Sequence, residues 1–114
     1  MSIEKGAREV LFIFDIIKAR LNELLINGVE NFYDENLEEL NILKEKLLNL
    51  KLNLIADLLN AFLEHLENQD KQKIAKYVLR IISATRMVER VMSMELIKKD
   101  LLNWMEIENA KSSN

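Results

Sequence analysis

No proline and only two glycines interrupt the 114 residues, while apolar side chains recur every three or four positions along most of the chain. Proline is the residue that must break a helix from within, and spacing of three to four places apolar groups on one side of a 3.6-residue turn. No stretch shows the strict alternation that a half-buried strand needs between turn residues. The fold class that follows is all-α, and short links between amphipathic helices favour an antiparallel four-helix bundle with a short fifth C-terminal helix.

The stripes place the helices. The first should run over Ile3–Asn27 with Val10, Phe14, Ile17, Leu21, Leu24 and Leu25 inward, stopping at Gly28, which can take backbone angles closed to other residues. Phe12, Ile13 and Ile16 add apolar surface away from that stripe, so this helix wants partners on two sides. After a link through Phe32 and Tyr33, Asn36 and Glu39 have the spacing of a capping box and predict the start of a second helix, with Leu37, Leu40, Leu43, Leu47 and Leu48 buried. The period falters at residues 50–53, where a turn without glycine or proline is expected. A third helix carries Leu54, Ile55, Leu58, Leu59, Phe62, Leu63 and Leu66 and ends at residues 68–70. A fourth should span residues 71–92 on Ile74, Tyr77, Val78, Ile81, Ile82, Val88 and Met92, with Thr85 among them. Ser93 followed by Glu95 reads as the cap of the fifth, which holds Ile97, Leu101, Trp104 and Met105.

A mass of 13.4 kDa suits one core, so residues 1–107 form one domain and residues 108–114 a disordered tail. The absence of cysteine removes a disulfide framework and thiolate chemistry, and one histidine cannot build a multi-histidine metal cage. The longest apolar runs, residues 10–14 and 16–17, are split by Asp15 and fall short of the ~20 residues a membrane span needs. The first nine residues balance Glu4 and Glu9 against Lys5 and Arg8, unlike a secretory signal, so the expected location is the cytoplasm.

Charge is segregated beneath a net of −3. Residues 30–70 hold ten acids against three bases, whereas residues 71–90 hold six bases against Glu89 alone. That basic helix suits pairing with acidic neighbours. It is also the electrostatic footprint of a nucleic-acid binder, carried by Lys73, Lys76, Arg80 and Arg90, though without the interleaved aromatics that stack on bases. His65 lies at the margin of the third helix's apolar arc and has no carboxylate three or four residues away to orient it, which makes it structural. Asp15 and Glu89 interrupt apolar surface and need cationic partners. Lys18 and Arg86 stand three residues away, and a pairing of Glu89 with another helix would fix register.

Several stretches share a pattern: Gly28-Val29, the run Asn36-Leu37-Glu38-Glu39-Leu40, residues 50–59, Tyr77-Val78-Leu79-Arg80, and Met87-Val88-Glu89-Arg90-Val91. Over residues 28–94 the chain thereby resembles the helical segment that accompanies SWIM-type zinc fingers. It departs from that family in having Lys51 where a glycine is usual and in lacking the zinc ligands. The resemblance implies a stand-alone helical accessory module. The expected function is a non-catalytic interaction or scaffold module with no cofactor and no metal. It should self-associate as a homodimer or other homo-oligomer, through Phe12, Ile13 and Ile16 or through the last helix, with a further protein partner as an option. Nucleic-acid binding by the basic helix is the alternative.

Overall fold

The computed structural model describes residues 3–32 and 34–112, and every regular element in them is helical. Helix α1 spans Ile3–Asn27, α2 Asp34–Asn49, α3 Asn53–Glu67 and α4 Lys71–Ser112, with one 3₁₀ turn at Val29–Asn31. Tyr33, part of the expected first link, lies outside the described residues, as do Ser113 and Asn114.

Helices α1, α2 and α3 each end for a local reason. Gly28 closes α1 with φ of 85° and ψ of 162°, a region essentially reserved for glycine, while its N–H still reaches Leu24 O at 2.8 Å. The ends of α2 and α3 use a different device. Lys51 and Gln69 both carry positive φ, 66° and 56°. At the first, Leu52 N donates to Leu47 O and Lys51 N to Leu48 O; at the second, Asp70 N donates to His65 O and Gln69 N to Leu66 O. This crossed pair of bonds is the Schellman closure, achieved twice without glycine. Asp70 then caps the next helix, its Oδ1 accepting from Lys73 N at 3.2 Å.

One core joins the four helices. Ile13, Phe14, Ile17 and Leu21 of α1, Leu40 and Leu47 of α2, Ile55, Leu59 and Phe62 of α3, and Val78 and Ile81 of α4 are almost wholly buried. Thr85, also fully buried, spends its hydroxyl on Ile82 O of its own helix at 3.0 Å. Not every residue of the expected stripes is inside: Leu25, Leu48 and Leu54 face solvent, at the edges of arcs too wide for one neighbour to cover.

The expected fifth helix is not a separate element. α4 continues through Ser93 to Ser112, because residues 90–96 contain neither glycine, proline nor any other group that forces a stop. A serine within a helix costs only a few tenths of a kcal/mol relative to neighbouring residue types, about 0.5 against alanine. Residues 108–112, expected in a disordered tail, belong to the same helix. At 1.5 Å per residue α4 is about 63 Å long, which accounts for the extents of 67 × 23 × 21 Å. α1, the next longest, covers about 38 Å. Side chains of α4 pack against the core as far as Met92, and residues 101–111 are all exposed. The distal part of α4 stands clear of the other helices.

Candidate interaction surface on the last helix

At 100° per residue, the core-facing side chains of α4, from Ile74 and Val78 through Thr85 to Met92, occupy an arc of about 80°. On the opposite side lie Met87, Met94, Ile97, Leu101 and Met105, flanked by Val91, Leu102 and Trp104. All eight are at least half exposed, Met94 at 69% and Trp104 at 59%. Between Met94, Ile97, Lys98, Leu101, Leu102 and Met105 the surface dips into an apolar depression of about 380 Å³. An apolar face this continuous on one exposed helix exceeds the scattered hydrophobic residues of an ordinary surface.

The same side of α4 is basic further toward its N-terminus. Lys76, Arg80 and Arg90 lie on the side of Met87 and Met94, Lys73 lies at its flank, and all four are exposed. Lys73 Nζ is 3.9 Å from Asp70 of its own helix start. The Arg80 guanidinium lies 5.1 Å from the centroid of the Tyr77 ring, a cation–π contact, and that ring meets His65 at 4.9 Å. His65 is thus half-buried against an aromatic neighbour, at the seam between the end of α3 and the start of α4. Among the described residues no three His, Asp or Glu side chains converge as metal ligands.

Ion pairs tie α1 to its neighbours. Glu89, at the edge of the α4 core face, meets Lys18 Nζ at 2.5 Å; Lys18 also lies 3.8 Å from Asp15. The partner of Glu89 is therefore on another helix, not Arg86, whereas Asp15 keeps the local pairing and is largely exposed. Arg20 forks between two carboxylates, with Nε 3.0 Å from Glu39 on α2 and NH1 2.9 Å from Glu23. The hydrogen bond to Glu39, with the charges of Glu39 and Glu23, raises the Arg20 pKa above its ordinary value despite partial burial. The stabilisation from that shift is present throughout the neutral range and is lost as pH rises through the raised value.

Phe12, Ile13 and Ile16, the expected association surface on α1, do not form one patch. Ile13 is 2% exposed within the core and Ile16 packs half-buried against it, leaving Phe12 alone at 65%. The reason is geometric: α1 touches both α2 and α4, so its second apolar side is consumed inside the molecule. Met87, Val91, Met94 and Leu102 were absent from the sequence-based candidates. Their signal is the apolar pattern of residues 87–105 taken as one helix, which dividing the helix at Ser93 conceals.

A second concavity, of about 570 Å³, opens between the 3₁₀ turn, α2 and α3, lined by Phe32, Leu37, Asn41, Asn60, Leu63 and Glu64 among others. Lys44 Nζ bonds Asn60 Oδ1 at 3.2 Å near it. Among the described residues its lining includes no imidazole or hydroxyl nucleophile.

Among the described residues, no helix is long and apolar enough to cross a membrane. Comparison of the chain with protein-family models, curated proteins and solved structures finds no match.

Proposed function

We propose that this protein is a non-catalytic helical interaction module that self-associates through the outer face of α4. The observation that carries this is the eight-residue apolar face from Met87 to Met105, exposed and turned away from the core. Helices in water draw most of their stability from packing an amphipathic face, and a segment with no such packing is marginal. A 20-residue extension of α4 beyond the bundle is best supported when that face has a partner. Burying half-exposed Met, Leu and Trp side chains at about 25 cal/mol per Å² supplies several kcal/mol of gross drive before the costs of association.

The bundle itself serves as the platform, and we infer its antiparallel arrangement from residues that meet across helix pairs. Arg20 meets Glu39 and Lys44 meets Asn60, each pair nearly equidistant from the intervening turn, and His65 near the end of α3 meets Tyr77 near the start of α4. The resemblance of residues 28–94 to a SWIM-associated helical segment fits the same role of accessory module.

Sedimentation equilibrium at tens of micromolar tests the proposal. A mass above the 13.4 kDa of one chain, reduced to one chain by Leu101→Glu with Met105→Glu, is the expected result; a wild-type monomer at that concentration ends it. A second reading draws on the exposed alignment of Lys73, Lys76 and Arg80. Binding to mixed oligonucleotides should then weaken steeply between low and moderate salt, and absent or salt-independent binding removes it.

A further inference from the structure

We infer that the occupant of the distal α4 face is the same segment of a second copy, lying antiparallel and centred near residue 103, a proposal that rests on the interaction function above. The seam positions of this helix follow a heptad spacing: Met87, Val91, Met94, Lys98, Leu101, Met105 and Glu108. Two of the last four are charged with opposite sign. Parallel, in-register pairing sets Lys98 against Lys98 and Glu108 against Glu108, like charges at the dry centre of a contact. Antiparallel pairing about residue 103 sets Lys98 of each copy against Glu108 of the other, whose Oε1 stands 3.8 Å from Lys111 Nζ within its own helix, and Leu101 against Met105. Leu102 and Trp104 then flank the axis and meet their own counterparts. Both charge conflicts become attractions in a single arrangement.

α4 packs on its own bundle as far as Met92, and the described helix beyond it, residues 93–112, brackets that centre. Two such segments laid head to tail overlap along about 30 Å. The bundles then stand at opposite ends, on the sides of α4 away from the seam. Covering Met94, Ile97, Leu101, Leu102, Trp104 and Met105 removes roughly 600 Å² of apolar surface from each copy at half-exposure. Counted over both copies the contact is about 1,200 Å², at the small end of specific interfaces. A lipid surface fits less well: residues 93–112 carry Glu95, Asp100, Glu106 and Glu108 against Lys98, Lys99 and Lys111, without the basic excess that draws an amphipathic helix to anionic headgroups.

The chain has no cysteine of its own, so introduced thiols report without interference. Leu101→Cys and Met105→Cys chains, mixed in equal amounts and oxidised, should yield mainly the mixed disulfide, with little of either symmetric one. Both positions are exposed, and circular dichroism of each variant verifies that its fold is intact. A dominant Leu101→Cys symmetric disulfide, from chains that sediment as dimers, overturns the antiparallel arrangement while the self-association above stands. Chains that sediment as monomers overturn both. As a second measurement, Lys98→Glu should weaken dimerisation about tenfold and Lys98→Glu with Glu108→Lys should restore it to within about threefold. Failure of the double variant to recover contradicts the facing of Lys98 and Glu108.

Discussion

Gly28, Lys51 and Gln69 show how far a helix end can be read from residue types. All three have positive φ, yet only the first is a glycine. Lys51→Gly and Gln69→Gly should each stabilise the fold by about 0.5–1 kcal/mol, since a side chain in the left-handed region costs more than the added freedom of glycine in the unfolded chain. Gly28→Ala should cost about 1–3 kcal/mol, and for backbone strain alone, because a Cβ there meets nothing within 4 Å. Urea midpoints at constant slope measure all three. At Glu89 the charge within an apolar arc was visible in the sequence, but the identity of its partner was not: Lys18 is 71 positions away and reaches it only through packing of α1 on α4. Lys18→Met should cost about 1–3 kcal/mol by leaving Glu89 without its cation, and adding Glu89→Leu should recover most of the loss. A double variant no more stable than Lys18→Met refutes a structural role limited to that pair.

Element by element, the period of apolar residues located α1, the turn at residues 50–52 and the junction at residues 68–70, because each boundary coincides with a break in the stripe. Asn36 misled by two residues, since Asp34 already lies within α2. The larger departure is α4. Ser93 and Glu95 carry a start signal, but a new helix also needs the old one to stop, and no residue there requires that. For the same reason the outer face was legible only in pieces: Ile97, Leu101, Trp104 and Met105 were recognised as apolar, without Met87, Val91 and Met94, which continue their stripe. The distal turns contribute little to the core. A chain ending after Lys99 should therefore keep its folding free energy within about 1 kcal/mol of the full chain while losing self-association. Thermal unfolding at low concentration, together with sedimentation, checks both halves of that expectation.

At the scale of the whole molecule, a compact four-helix core holds a helix that outreaches it, and the outreaching part is apolar on the side turned away from that core. The basic strip of residues 73–80 continues the same side toward the bundle end, so one long face grades from cationic to greasy. Under the proposed self-association, the stability of this segment as helix is coupled to contact along that face. Amide hydrogen exchange over residues 94–108, followed as protein concentration rises from below one to tens of micromolar, measures this coupling directly. Protection there should grow with concentration while that of residues 10–24 stays unchanged. Fast exchange in residues 94–108 at every concentration would contradict an interface on the outer face of α4.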